Sequence, residues 1–307
     1  MDKILGGLYG VFIGDALGAP HEFRNITPKT EYTGLLLDIP VTINFRFTSL
    51  TLQPGSVTDD SEMTIQLLKS ILENKGYDED KTIKKYLEWA NMKNTPLGKN
   101  TRNLMKGVTT VRGFRNRQDK TDTSGVESNG SLMRCFPLVL LKDWKKASAK
   151  DVNLTNDNPV NRECSIIYLR IARHLIYGDK LKFKFKQESI KSAVASALKN
   201  EILDVSHNKG WVVHALYVAL ITLFNATSFE SGMSFIHKHF FDRTDTDTIM
   251  CISAGLLGAK YGYESISTEI TTSQNIEKVN RYFENTSRPA FTEQLKESLI
   301  KLHLNHY

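Results

Sequence analysis

Two short acidic segments of this sequence carry side chains that could perform chemistry. The first, "VTDDSEMT" at residues 57–64, places two adjacent carboxylates ahead of an apolar run. The second, "DTDT" at residues 245–248, also precedes an apolar run, and its two carboxylates are separated by one threonine. Carboxylate and hydroxyl oxygens are the ligands that Mg²⁺, Mn²⁺ and Ca²⁺ prefer. If the two segments meet in the fold, they could hold one or two ions.

The simpler interpretation of each segment is a helix N-cap. Asp and Thr are common at that position because their oxygens accept the free backbone N–H groups of the first turn. For either segment alone we would prefer this interpretation, but their joint occurrence favours a shared cation. Adjacent Asp59 and Asp60 repel each other, and a helix N-terminus offsets only part of that repulsion. A similar Thr-Asp-Thr at residues 121–123 precedes no apolar helix, so we predict no role for Asp122.

Helical periodicity accounts for most of the remaining chain. Residues 210–224 are apolar on nearly every face, which is typical of a central buried helix, and alternation with a period of two is confined to residues 41–47. With no internal repeat and no linker, the chain is predicted to be all-α, a single compact multi-helix domain spanning residues 1–307. Amphipathic helices are predicted at residues 61–75, ending before Gly76, at residues 163–178 and 189–203, and near residues 295–302.

Composition excludes several classes of protein. The chain of 307 residues is 40% hydrophobic and 24% charged, which are ordinary globular values, and its net charge of +6 is modest. The basic stretch at residues 112–120 has no nucleic-acid-recognition motif beside it, so we expect no specific nucleic-acid binding. No apolar stretch is long enough to cross a membrane. Three cysteines without a CxxC pair indicate the cytoplasm or another reducing intracellular compartment.

Four motifs, in order, resemble those of a known family: "GGLYGVFIGDALGAPHEF", "VTDDSEMT", "SNGSLMR" and "DTDTIMCISAGLLGAKYG". Over residues 1 to about 266 the chain resembles the ADP-ribosylglycohydrolases, including the dinitrogenase-reductase-activating glycohydrolase group. The resemblance implies an all-α fold with a binuclear Mg²⁺ or Mn²⁺ centre in a cleft. It also implies hydrolysis of the bond between the anomeric carbon of ADP-ribose and an acceptor, in an ADP-ribosylated protein or a small ADP-ribose conjugate.

The same resemblance assigns roles to individual residues. Glu22, in "APHEF", matches the position of the family's catalytic glutamate; without the resemblance it would be read as a loop acid paired with Arg24. A carboxylate at that position is useful as an acid or a base in glycoside cleavage. The metal ligands implied by the resemblance are Thr58, Asp59, Asp60, Asp245, Asp247 and Thr248.

The segment "GVESNGSLMR" at residues 125–134 is the predicted diphosphate site. Its small residues would let backbone N–H groups approach a phosphate closely, although an ordinary Ser-Asn-Gly turn explains the residues equally well. The resemblance favours binding, and Arg134 could support the loop or contact the substrate. Asn156 stands after Thr155 where family members commonly have a histidine, so we expect it to change affinity more than chemistry. The substrate-binding candidates are Gly125, Ser128, Asn129, Gly130, Ser131 and Asn156.

Two functions of other classes compete with hydrolysis. One is a catalytically silent relative that binds ADP-ribose or serves as a structural protein, and the other is a basic helical protein that binds nucleic acid. The complete set of six implied ligands together with Glu22 argues against the silent relative. The lack of a recognition motif argues against nucleic-acid binding.

Overall fold

Helices form nearly all of the regular structure in the computed structural model, which describes residues 1–22, 33–44, 49–95, 97–241 and 243–306. The prediction of an all-α fold is confirmed. In the described residues the helices are α1 (Asp2–Glu22), α2 (Asp59–Asn74), α3 (Glu79–Ala90), α4 (Lys99–Met105), α5 (Val111–Gln118), α6 (Gly130–Met133), α7 (Trp144–Asn153), α8 (Pro159–Tyr177), α9 (Glu188–Leu198), α10 (Val212–Asn225), α11 (Phe229–Phe240), α12 (Thr246–Tyr261), α13 (Tyr263–Ile266), α14 (Ile270–Asn285) and α15 (Glu293–His306).

Among the described residues, the β-strands form one two-stranded antiparallel sheet. The strand β1 (Val41–Asn44) pairs antiparallel with β2 (Ser49–Leu52), and Val41 lies opposite Leu52. Strand β1 begins where the alternation at residues 41–47 begins, and residues 45–48 lie outside the described part of the chain. None of the described helices combines the length and the apolar character that crossing a membrane requires.

Helices α1 and α12 pack against each other more closely than side chains would allow. Glycines recur every four residues along α1, and their Cα atoms face α12. A Cβ added at Gly18 would lie 2.3 Å from Asp247 Cα, and one added at Gly258 would lie 1.9 Å from Gly6 O. Only glycine permits this approach. The contact therefore brings the carboxyl end of α1 directly against the first turn of α12.

The buried apolar residues form one cluster around these two helices. Helix α10, predicted as the central helix, is buried from Val212 to Leu223 and contacts α8, α9, α11 and α12. Its apolar character on all faces follows from having protein on every side. One continuous core of this kind agrees with a single compact fold.

Two predicted helix ends differ from the structure. Helix α2 ends at Asn74, because Lys75 rather than Gly76 adopts the left-handed conformation, with φ of +52°. Helix α9 ends at Leu198 instead of near residue 203, and Asn200 takes a left-handed φ of +58°. Asn and other non-glycine residues can adopt this conformation at a modest cost in free energy. Hydrophobic periodicity does not predict where they do so.

The C-terminal helices are attached to the core through carboxylates. Glu230 of α11 accepts hydrogen bonds from the N–H groups of Thr271 (2.7 Å) and Thr272 (3.0 Å) at the start of α14. Glu269, just before α14, accepts in turn from the N–H groups of Phe229 (3.1 Å) and Glu230 (2.8 Å) at the start of α11. Each glutamate thus accepts hydrogen bonds from the free N–H groups at the start of the other helix, and its negative charge interacts favourably with the dipole of that helix.

Candidate metal centre and substrate cavity

Both acidic segments lie at helix N-termini, but the side chains at their N-cap positions do not bond to the free backbone N–H groups of the helix. Thr58 occupies the N-cap of α2 and Asp245 occupies the N-cap of α12, and neither side chain bonds to the backbone of its own helix. The Thr58 hydroxyl instead donates to Asp15 Oδ1 (2.7 Å), and Asp245 Oδ2 accepts from Asn129 Nδ2 (2.9 Å). Helix capping therefore does not account for either side chain.

The two segments meet in space. Carboxylate oxygens of Asp15, Asp60 and Asp247 all lie within 4.8 Å of one another, and the three residues are buried. Among the described residues, none donates a hydrogen bond to the buried Asp60 Oδ1. A buried, ionisable oxygen is seldom left without a partner, because its desolvation is then uncompensated. A divalent cation at this point would provide the missing partner.

Burial and mutual repulsion disfavour the charged forms of these carboxylates. Burial, followed by the charges of Asp15, Asp59 and Asp245, raises the pKa of Asp60 well above its usual range. Burial and the charge of Asp15 raise the pKa of Asp59 to about 7. Burial also raises the pKa of Asp15 to about 6, although hydrogen bonds from Ser61 and Thr58 act in the opposite direction. A bound cation would reverse this penalty.

Asp15 is a member of this cluster that sequence reasoning missed. It is fully buried on α1, where Oδ2 accepts from the N–H groups of Thr58 (2.9 Å) and Ser61 (3.0 Å). Its signal was available in the sequence, since it is the carboxylate inside the otherwise apolar "GVFIGDALGA". A buried helix does not place a charge on such a stretch without a partner.

A cavity of about 620 Å³ opens over the carboxylates. Several predicted residues share its wall, whereas Thr58 lies buried behind them and Gly125, Ser131 and Asn156 lie outside the lining. The predicted metal ligands on the wall are Asp59, Asp60, Asp245, Asp247 and Thr248, and the predicted substrate-binding residues there are Ser128, Asn129 and Gly130.

Asn156 and Ser131 lie behind the loop that forms the cavity wall. Asn156 is fully buried, and its Nδ2 donates to Val126 O (3.0 Å) and Ser128 Oγ (3.1 Å). The Ser131 hydroxyl accepts from Asn161 Nδ2 (2.9 Å).

Asn156 does not cap α8, because that role belongs to Asn158, whose Oδ1 accepts from the Val160 N–H (2.7 Å). The contacts of Asn156 are those of a residue that holds the loop.

Arg134 supports the same loop from inside the protein. Its guanidinium is fully buried and donates to Asp151 Oδ2 (2.9 Å), Gly130 O (2.8 Å) and Thr155 Oγ1 (3.0 Å). The Tyr86 hydroxyl donates to the other oxygen of Asp151 (2.9 Å). Because the guanidinium has no exposed surface, of the two roles open to Arg134 the structure favours support of the loop.

Glu22 is the last residue of α1, and its side chain, like Arg24, lies outside the described part of the structure. Its backbone follows Gly18 by one turn, and Gly18 packs directly against Asp247. The end of α1 therefore stands beside the carboxylate cluster.

Three further charged residues line the cavity without having been predicted. Lys99 and Arg102 of α4 bring positive charge to the wall, and Asp122, to which no role was given, lies there as well. The Asp122 carboxylate accepts from the Ser124 N–H (2.9 Å) and hydroxyl (2.6 Å), and these bonds lower its pKa. Helix α4 has only seven residues, too few for periodicity to reveal which of them face a site.

Comparison with known proteins finds relatives of similar fold and sequence. A solved structure described as an ADP-ribosylglycohydrolase-related protein complex shares the fold, with a TM-score of 0.66 at 20% identity, over 99% of this chain and 97% of that one. The ADP-ribosyl-dinitrogen reductase glycohydrolase of Rhodospirillum rubrum is 26% identical over 86% of this chain and 87% of its own length. The ADP-ribosylarginine hydrolase Tri1 of Pseudomonas putida is 24% identical over 91% of this chain and 77% of its own length.

A model of the ADP-ribosylglycohydrolase family matches residues 1–299, which include both acidic segments and the loop at residues 125–134. The chain therefore belongs to the ADP-ribosylglycohydrolase family, whose members are glycosidases that act on ADP-ribosyl conjugates.

Proposed function

We propose that this enzyme is a metal-dependent hydrolase that releases ADP-ribose from ADP-ribosylated protein side chains. The observation that carries the proposal is the meeting of buried Asp15, Asp60 and Asp247 carboxylates, two of which also line the cavity. Buried like charges at this separation oppose folding unless a proton or a cation neutralises them. Because a substrate-sized cavity lies above these carboxylates, a cation bound there would be next to the substrate.

The residues present suit a hard divalent cation. The cluster offers carboxylate and hydroxyl oxygens, Asp60 Oδ1 has no hydrogen-bond donor among the described residues, and neither cap side chain bonds to the backbone of its own helix. Mg²⁺ or Mn²⁺, in a centre of two ions, would be held by Thr58, Asp59, Asp60, Asp245, Asp247 and Thr248. Ions bound there would supply Lewis acidity for orienting ribose hydroxyls and activating water.

The loop at residues 128–130 would bind the diphosphate of ADP-ribose. A Cβ added at Gly130 meets nothing within 4 Å, so the backbone there leaves open room for a ligand. Lys99 and Arg102 bring positive charge to the same cavity wall, which complements a diphosphate. Ser131 and Asn156 would act on substrate through the loop they hold, and Gly125 would act through the turn in which it lies, just before this loop.

Glu22 is our candidate for the catalytic carboxylate. Cleavage of a glycosidic bond needs a group that gives a proton to the leaving group or takes one from water. Its place at the end of α1 supports this role, because Gly18, one turn earlier, contacts Asp247.

The first acceptor to consider is arginine. Two relatives are named ADP-ribosylarginine hydrolases, and a third is named for ADP-ribosylated dinitrogen reductase. We also place the enzyme in the cytoplasm or another reducing compartment, on the ground that its three cysteines are free and buried.

The test is release of ADP-ribose from arginine-linked, serine-linked and polymeric substrates, with Mn²⁺ or with EDTA. We expect release with Mn²⁺ only, loss of release in Asp60→Asn and Asp247→Asn, and ADP-ribose binding without turnover in Glu22→Gln. Asp78→Asn is the matched control, because Asp78 caps α3 through Lys81 N–H (2.9 Å) and lies outside the cavity. Full activity in EDTA would refute metal dependence, and binding without turnover in the wild type would identify a silent relative.

A further inference from the structure

Asp15 holds the turn that starts α2. Its carboxylate accepts hydrogen bonds from two backbone N–H groups, those of Thr58 (2.9 Å) and Ser61 (3.0 Å), and from the Thr58 hydroxyl (2.7 Å). Ionised acceptors form the stronger class of hydrogen bond, so this arrangement fixes both the backbone and the side chain of Thr58. Neither the family resemblance nor helix capping gives Asp15 this place.

The orientation of the Thr58 hydroxyl follows from its neighbours. Thr58 Oγ1 lies 2.7 Å from Asp15 Oδ1 and 3.3 Å from Asp60 Oδ2. A hydroxyl has one proton and two acceptor lone pairs, and an ionised carboxylate can only accept. The Thr58 hydroxyl therefore donates its proton along the shorter contact, to Asp15 Oδ1. Its lone pairs then remain available to another partner. Asp60 Oδ1 also remains without a donor among the described residues.

We propose that Asp15 is a positioning residue of the metal centre, which draws the Thr58 hydroxyl proton towards itself and so presents the Thr58 lone pairs and Asp60 Oδ1 to a divalent cation. The inference rests on the proposed function, since it concerns the same centre. Asp15 also adds a third negative charge within 4.8 Å of Asp60 and Asp247. Residues that orient ligands in this way typically change metal affinity by about 10- to 100-fold when altered.

The first test is Asp15→Asn, studied by titration calorimetry with Mn²⁺ and by thermal melting in EDTA. Asparagine keeps the shape but loses the charge and one acceptor. We expect the dissociation constant for Mn²⁺ to rise at least about tenfold. In EDTA we expect a melting temperature no lower than that of the wild type, because one of three clustered negative charges is gone. A merely structural residue would give the reverse, with a lower melting temperature and unchanged Mn²⁺ binding.

The second test examines the hydroxyl that Asp15 orients and does not depend on the folding of the Asp15 variant. Thr58→Ser keeps the hydroxyl, whereas Thr58→Val removes it at nearly constant volume. We expect the serine variant to bind Mn²⁺ like the wild type and the valine variant to lose affinity about as much as Asp15→Asn does. Adding Thr58→Val to Asp15→Asn should lower Mn²⁺ affinity little further, since both changes remove the same interaction.

The outcomes separate this inference from the proposed function. Equal Mn²⁺ binding by the wild type and Asp15→Asn, or by Thr58→Ser and Thr58→Val, would overturn the role of Asp15 and leave metal dependence standing. A wild type that binds no Mn²⁺ would overturn the proposed function itself.

Discussion

Charges of both signs line the cavity. The carboxylates Asp60 and Asp247 lie on its wall with the cationic side chains Lys99 and Arg102 of α4. The Arg102 guanidinium is partly engaged, because it donates to Leu97 O (3.2 Å). Lys99 is exposed and free to follow a bound anion. A ligand that joins neutral sugar hydroxyls to a diphosphate complements this distribution of charge.

Lys99→Gln should weaken substrate binding without changing the chemical step. An exposed charge contributes up to about 1 kcal/mol, so we expect KM to rise by up to about fivefold with kcat unchanged. The difference from wild type should disappear at high salt, which screens exposed charges. Lys84→Gln is the control, because Lys84 is an exposed lysine outside the cavity. A fall in kcat at constant KM would show that Lys99 acts on the reaction rather than on binding.

At the scale of elements, the site is built where α1 meets the starts of α2 and α12. Helix α1 supplies Asp15, α2 supplies Asp60, and α12 supplies Asp247. The glycine at position 18 sets the distance between α1 and the first turn of α12. The carboxylate cluster therefore depends on this backbone contact as well as on the identity of its side chains.

Gly18→Ala should separate α1 from α12 beside the carboxylate cluster. The new Cβ would lie 2.3 Å from Asp247 Cα, so backbone must move. Overpacking of this kind costs about 1–3 kcal/mol, and we expect both a lower melting temperature in EDTA and a loss of Mn²⁺-dependent stabilisation. Gly76→Ala is the control, because its Cβ meets one atom, Asn74 O, at 4.0 Å. Undiminished Mn²⁺ stabilisation in Gly18→Ala would show that the centre tolerates movement of α1.

What the sequence could predict depended on how local each signal was. The two acidic segments at the starts of α2 and α12 were found because helix-start patterns involve consecutive residues. Asp15 was visible as a carboxylate inside an apolar helix, but its partner, Thr58, is 43 residues away and no local pattern links the two residues. Lys99 was missed because a seven-residue helix has little periodicity. The sequence analysis singled out Asn156, but only the contacts of this residue show that it holds a loop.

At the scale of the whole molecule, the C-terminal segment is tied to α2, the helix that carries Asp59 and Asp60. Arg288 Nε donates to Glu62 Oε1 (2.7 Å), and its Nη2 pairs with Glu62 Oε2, over a sequence separation of 226 residues. Trp89 Nε1 also donates to Glu62 Oε2 (2.6 Å). Glu62 is 1% exposed, so its charge depends on these partners.

Arg288→Met should destabilise the protein by about 3 kcal/mol, because it leaves a buried carboxylate without its cation. The loss should appear in denaturant unfolding, and adding Glu62→Gln should recover part of it by removing the orphaned charge. Arg281→Met is the control, since the pair of Arg281 with Glu277 is exposed on both sides (70% and 69%). It should change the free energy of unfolding by less than about 1 kcal/mol. Equal effects of the two arginine changes would contradict this account.

The stability of the metal-free protein should fall with rising pH because of its carboxylate cluster. A carboxyl group with a pKa of about 7 when folded, against 3.8 when unperturbed, as for Asp59, holds its proton more tightly in the folded state. The stability it contributes is complete below about pH 4 and is lost as pH rises through about 7. The lowered pKa of His214 acts in the opposite direction, so the Asp59 contribution is isolated by comparing variants.

We therefore expect Asp59→Asn, in EDTA, to melt above the wild type at pH 8, with the difference shrinking as pH falls and closing by about pH 4. Thermal melts at several pH values measure it. Saturating Mn²⁺ should invert the order at pH 8, because the wild type gains a ligand that the variant lacks. A difference that is constant with pH would mean that Asp59 does not titrate in this range.

The contact between Gly18 and Asp247 also bears on how the chain is made. About 230 residues separate them, so α1 must wait for α12 to be synthesised, roughly 10–45 s at ribosomal rates of 5–20 residues per second. During that interval the face of α1 that packs against α12 is uncovered, and a chaperone could bind there. A nascent chain that ends before α12 lacks Asp247 and cannot complete the carboxylate cluster, so activity should arise only once α12 has been made.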